Sequence, residues 1–207
     1  MFAVIFEVQP KKERWNDYLD LAKYLKPKLE AIEGFIDNER FESKRTKGRL
    51  LSLSTWRDEK AVVRWRTERE HHGVQEKGRF EIFEDYHLRV GEVTDDSDPP
   101  RGLAVVQQRF DETANPVAKA VSITELGPPK GNKQKIAAEQ LAAQLGLDNH
   151  AEGLVGHEIF ESIYNRETCY CWRPGETPKL CNGGLQVHVQ TLASRATAGS
   201  ALFVTMA

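Results

Sequence analysis

The sequence predicts an α+β chain built from two β-α-β-β-α-β units in tandem, on three observations. The ten residues Gly34-Phe-Ile-Asp-Asn-Glu-Arg-Phe-Glu-Ser43 return 119 positions later as Gly153-Leu-Val-Gly-His-Glu-Ile-Phe-Glu-Ser162, with five of the ten identical. A period of about 100 residues indicates a duplicated domain, since solenoid repeats run at about 20 to 50. Residues 2–93 alternate short β-branched and aromatic runs with two stretches of helical period. Finally, Asp95-Asp-Ser-Asp-Pro-Pro100 is polar, acidic and proline-bearing, as a linker between the copies should be.

The first unit opens with Phe2-Ala-Val-Ile-Phe-Glu-Val8, a strand. From Lys11 to Ile32 the apolar residues Trp15, Tyr18, Leu19, Ala22, Leu25, Leu29 and Ile32 recur at three- and four-residue steps, one stripe of an amphipathic helix. Pro27 should kink that helix or split off its last turn. Gly34 follows where a positive φ is needed. Residues 35–43 read as a strand with Phe35, Glu39, Phe41 and Ser43 on one face and Ile36, Asn38, Arg40 and Glu42 on the other. Lys47-Gly48 turns the chain into the partner strand Leu50-Leu-Ser-Leu-Ser-Thr-Trp56. Asp58 is placed to cap a second helix, with Glu59 near its positive end and Ala61, Val62, Trp65 and His72 on one face. Phe80 and Phe83 suggest a short extra turn after Gly78, and residues 85–93 read as the last strand. This order is the split-βαβ, or ferredoxin-like, plan.

In the second unit Val121-Ser-Ile-Thr-Glu-Leu126 matches the first strand, and Ile136, Leu141, Leu145 and Leu147 carry helical spacing before the repeated strand. Trp172-Arg173 falls where Trp56-Arg57 would, which sets Cys169 and Cys171 at strand positions equivalent to Leu53 and Thr55. Beyond Glu176 there is no Asp or Glu, and only residues 185–192 read as a strand. That tail fits divergence or a shifted reading frame. The expected domains are residues 1–94, a linker over 95–117, and a divergent unit over 118–207 with 176–207 atypical.

Composition narrows the function. Charged residues make up 29% and hydrophobic ones 40%, with a net charge of -2, so no basic excess points to nucleic acid. No run approaches the ~20 apolar residues of a membrane span, and Met1-Phe-Ala-Val-Ile-Phe-Glu7 lacks a basic n-region, so a cytoplasmic protein is expected. Three cysteines are too few for a disulfide framework. Cys169-Tyr-Cys171 has one intervening residue where zinc pairs usually have two to four, so no metal is expected. No Gly-x-Gly-x-x-Gly, P-loop or Gly-x-Ser-x-Gly occurs, which removes nucleotide-binding and serine-hydrolase readings.

The opening strand, Gly34-Phe-Ile…Glu39-Arg-Phe-Glu-Ser43, residues 50–58, Trp65-Arg66, His71-His72, Gln75, Gly78-Arg79 and Asp85-Tyr86…Arg89-Val90 together resemble the antibiotic biosynthesis monooxygenase family. The resemblance covers residues 1–94 and part of 118–173. It implies the dimeric α+β barrel, two ferredoxin-like sheets packed together in a homodimer or, here, in an intrachain pseudo-dimer. It also implies monooxygenation of a small aromatic substrate by O2, of the quinol or anthrone kind, with no cofactor. Such chemistry needs a base, an anion stabiliser and a dry apolar wall. The expected catalytic residues are His72 or His71 as base and Arg40 as anion stabiliser, with Trp65, Phe41, Trp56 and Glu39 against the substrate. The alternative is a non-catalytic binding or stress-response barrel, in which Trp65 is core and the His pair a solvated helix end. A haem-degrading member is a lesser alternative. The first strand lacks the Asn of that branch, and Trp65 stands only six or seven residues before the histidines.

Overall fold

The computed structural model describes residues 1–96, 99–105, 120–126, 154–164, 169–171, 179–181, 186–192 and 202–206. The first unit runs β1 (Phe2–Pro10), α1 (Trp15–Glu30), β2 (Phe35–Ser43), β3 (Leu50–Trp56), α2 (Glu59–Thr67), α3 (Arg69–Lys77) and β4 (Phe83–Asp95). It is followed by β5 (Ala120–Leu126), β6 (Leu154–Ser162), β7 (Cys169–Cys171), β8 (Lys179–Cys181), β9 (Gln186–Leu192) and β10 (Leu202–Met206).

Eight strands close a barrel within one chain, in the order β1-β3-β2-β6-β9-β5-β10-β4. All pairs are antiparallel. The first half contributes β4-β1-β3-β2 and the second β10-β5-β9-β6, so both halves use one strand order. The repeated segments meet at the seam, where Phe41 faces Ser162, Glu42 faces Glu161 and Ser43 faces Phe160. With an offset of 119 residues that register maps onto itself about Glu42 and Glu161.

Side-chain alternation gives the first four strands two faces. The inner face carries Ala3, Ile5, Phe41, Leu51, Leu53 and Val93, which form the barrel core with Val121, Ile123 and Phe160. The outer face is covered by the three helices. Leu29, Ala61 and Val62 pack there on Phe2 and Trp56, while Tyr18 packs on Val8, Leu50 and Ile82.

Several expected details hold. Gly34 has φ +90°, and a Cβ there would come within 2.7 Å of the Ala61 Cβ, so both conformation and space call for glycine. Asp58 caps α2, its Oδ1 accepting from the Ala61 N–H at 2.8 Å. Asp58→Ala is expected to cost about 1 kcal/mol, read as a lower urea midpoint at unchanged m-value.

Others need correction. Pro27 does not split the last turn from α1, which runs unbroken to Glu30; the carbonyl it leaves unbonded, that of Lys23, belongs to an exposed residue. A register shift between Phe35 and Asp37 breaks the alternation. Phe35 therefore packs on Trp56 on the outer face, and Ile36 joins the barrel core. The Cys169–Cys171 strand does not take the place of β3 in the second half. It pairs only with Lys179–Cys181 in a separate two-stranded sheet, and β9 lies beside β6 instead. The atypical tail supplies a final strand after all, β10, between β4 and β5. The helical spacing of residues 136–147 and Trp172-Arg173 lie outside the described residues.

The largest difference lies in the second helix. Glu68 adopts φ −60°, ψ 128° and splits it into α2 and α3. The Glu68 carboxylate caps the new helix, accepting from the His71 N–H at 2.7 Å. The break turns α3 onto α1, where Glu70 takes an ion pair from Lys28 at 2.6 Å and a hydrogen bond from the Tyr24 hydroxyl. No residue of α3 is fully buried. It lies as a cover over the sheet.

Candidate active site

Between the outer sheet face and α1–α3 lies a cavity of about 190 Å³. Strand register determines its floor. One cross-strand row runs Arg40, Ser52, Phe6, Leu88 and the next runs Asn38, Ser54, Val4, Val90. All eight side chains line the cavity. The β2 and β3 half is polar, and the β1 and β4 half is apolar. Asn38 is fixed in place, its Nδ2 donating to the Ser52 hydroxyl at 3.0 Å and the Leu53 carbonyl at 2.9 Å.

His71 and Trp65 form one end. Their rings stack with centroids 4.0 Å apart and 14° between planes. The split at Glu68 makes this possible, since six residues along an unbroken helix would carry the two rings nearly 9 Å apart. The His71 Nδ1 lies 2.8 Å from the Trp65 carbonyl. A carbonyl only accepts, so Nδ1 carries the proton and Nε2 is left as the acceptor, with the Gln75 amide 3.3 Å away. Burial pushes the His71 pKa below its usual 6.5, outweighing the Trp65 carbonyl and the Glu68 charge, which favour protonation. At neutral pH the ring is a neutral base.

A His whose folded pKa is lowered withholds stability as pH falls. The unfolded state binds the proton first, below about 6.5, and the loss continues down to the folded-state pKa. A proton titration of His71 followed by NMR is expected to show a midpoint below the usual 6.5. Loss of stability should accompany it on the acid side.

The other end is cationic. Arg40 is 8% exposed, and its Nε is buried without a hydrogen-bond partner among the described residues. Its guanidinium reaches the phenol of Tyr18, whose pKa burial raises and Arg40 partly restrains. Arg66 and Arg79 also line the cavity, and no carboxylate among the described residues does.

The structure therefore brings His71, Trp65 and Arg40 of the expected residues to one cavity. The others lie elsewhere. The His72 ring is exposed, 3.9 Å from Glu76. Phe41 is in the barrel core. Trp56 is fully buried beneath α2, its Nε1 donating to the Ser54 hydroxyl at 2.9 Å. Glu39 sits at the seam, accepting from the Ser162 hydroxyl at 2.5 Å, on the sheet face opposite Arg40. Burial raises the Glu39 pKa against that hydrogen bond. Sequence reasoning passed over Tyr18, Asn38, Ser52, Ser54 and Gln75 as lining residues. The serines alternating with leucines in β3 were the available signal, marking a polar face opposite a core face. Among the described residues no group of three or more His, Cys, Asp or Glu is placed to hold a metal. None of their helices is long and apolar enough to cross a membrane.

A ferredoxin-like sheet closed into an α+β barrel, with an apolar cavity under its helices, defines the dimeric α+β barrel class. Residues 1–77 match the family model described as antibiotic biosynthesis monooxygenase. A Pyricularia oryzae protein named jasmonate monooxygenase ABM is 43% identical over 168 residues, which cover 79% of this chain and 76% of that one. The uncharacterised YqjZ of Bacillus subtilis is 32% identical over 92 residues, 44% of this chain and 78% of its own. A crystal structure of aldoxime dehydratase matches at a TM-score of 0.50 and 9% identity, covering 100% of this chain and 81% of that one, a likeness of fold alone. The chain belongs to the antibiotic biosynthesis monooxygenase family.

Proposed function

We propose that the cavity oxygenates a small electron-rich cyclic molecule, a phenol or quinol, with O2 and with His71 as the proton acceptor. The observation that carries this reading is the His71 tautomer. Its Nδ1–H is held by the Trp65 carbonyl, so Nε2 is a neutral acceptor in a largely apolar cavity. A base of lowered pKa in a largely apolar cavity suits proton abstraction at neutral pH. Arg66, next to Trp65 in the chain, lines the cavity, where no carboxylate among the described residues competes for it, and its charge favours the anion left behind. The phenolate gives an electron to O2, and radical recombination at the para carbon forms a hydroperoxide. Loss of the para hydrogen as a proton, and of water, then leaves a quinone. Phenol plus O2 becomes quinone plus water, so the substrate supplies every electron.

Size decides between candidate substrates. A volume of about 190 Å³ is below the ~300–1,000 Å³ of drug-sized sites. One ring with a short side chain fits better than a tricyclic anthrone. The test is oxygen uptake by chelator-treated protein with a panel of hydroquinones, simple phenols and an anthrone. Jasmonate belongs in the panel because a relative is named for it. For a phenol with hydrogen on its para carbon, uptake matched one-to-one by quinone and without hydrogen peroxide is the expected result. Uptake no faster than without protein, across the panel, would contradict it.

A further inference from the structure

We propose that the Arg40–Tyr18 end of the cavity is a carboxylate subsite, so that the substrate is a small cyclic molecule bearing an anionic side chain. This rests on the cavity being the catalytic site. An arginine that is only 8% exposed, with its Nε buried and unpartnered among the described residues, is costly unless an anion meets it. The protein does not supply that anion from the cavity wall, since no carboxylate among the described residues lines it. The adjacent carboxylate in the chain, Glu39, is on the other face of the sheet and engaged with Ser162. Tyr18, close enough for Arg40 to act on its phenol, adds a hydroxyl whose O–H can donate to the same ligand.

Position distinguishes this subsite from the place where the proton is taken. Tyr18 packs in the cluster of Val8, Leu50 and Ile82, while Trp65 packs in the cluster of Leu29, Trp56 and Val62. Glu70, next to His71, is held by Tyr24 and Lys28 of α1. Six residues separate Tyr24 from Tyr18, which is about 9 Å along the helix. The Arg40–Tyr18 pair is thus set off along α1 from the contact beside His71. A phenol with a two-carbon chain ending in a carboxylate spans that interval. One guanidinium and one phenol match the acceptor set of a carboxylate better than that of a phosphate dianion, which needs more donors.

The test compares binding of meta-hydroxyphenylpropanoate and its primary amide, by calorimetry, to wild-type protein, Arg40→Met and Arg40→Lys. Wild type is expected to hold the acid about ten- to a hundredfold more tightly than the amide. Arg40→Met should remove that preference while still binding the amide, which shows that the variant is folded. Arg40→Lys should retain part of it. Equal affinities in wild type, no saturable binding of the acid, or a preference that survives in Arg40→Met would overturn the subsite. If the preference stands but no phenol is turned over, the oxygenase reading fails and the subsite remains. Turnover of neutral phenols with no preference for the acid gives the reverse.

Discussion

Replacing His71 with alanine is expected to lower kcat about 10²- to 10⁴-fold, the usual contribution of a positioned general base. Replacing His72, one residue on and exposed to solvent, should leave turnover as it was. The pair is diagnostic because both imidazoles sit on α3 and only one lines the cavity. His71→Gln separates the ring's chemistry from its packing, since glutamine partly refills the space against Trp65 but cannot serve as a base at neutral pH. In wild type the rate should rise with pH through the lowered His71 pKa and then level off. A His72→Ala variant that lost activity while His71→Ala kept it would move the base to the outer surface of α3.

Trp56→Ala is expected to cost about 3–5 kcal/mol of stability. Trp56 is 0% exposed, meets the Phe35 ring edge-on at 5.4 Å and 76°, and belongs to the cluster beneath α2. Truncation would leave a void and free the Ser54 hydroxyl, which now accepts from the indole. Against a total of about 5–15 kcal/mol for an ordinary domain, that loss is large. Urea unfolding is the measurement, with the midpoint falling and the slope kept. A mild loss of stability with a large loss of substrate affinity would instead make Trp56 a binding residue.

Most of the first unit was legible because its punctuation is local. Gly34, Gly48 and Asp58 each do at their own position what their chemistry favours, and the apolar stripe of α1 names its buried face. The repeat at residues 34–43 and 153–162 turned out to mark the strands that meet at the seam, although a repeat alone does not say that its copies pair. What escaped depends on contacts distant in sequence. Glu68 carries no glycine, proline or usual capping residue to announce a helix break, and its turn is stabilised where α3 meets Tyr24 and Lys28. An unbroken helix put His72 in line with Trp65, whereas the break stacks His71 on Trp65. The register shift after Phe35 moved one aromatic to the other face of the sheet, and no periodicity of one strand alone reports that. Phe41 and Trp56 read as substrate platforms by type, but their partners place them in cores. Arg40 and Asn38 were legible as one face of a strand, yet only the folded chain shows that face to be a cavity floor rather than a solvated surface.

Isotope-labelled O2 provides the most direct measurement. Chelator-treated protein would react with meta-hydroxyphenylpropanoate, whose carbon para to the hydroxyl still bears hydrogen, in labelled gas, beside His71→Ala, and the product would be weighed by mass spectrometry. Oxygenation at this cavity requires one labelled oxygen per quinone from wild type and almost none from the variant. Unlabelled product, or equal labelling in both proteins, would contradict it.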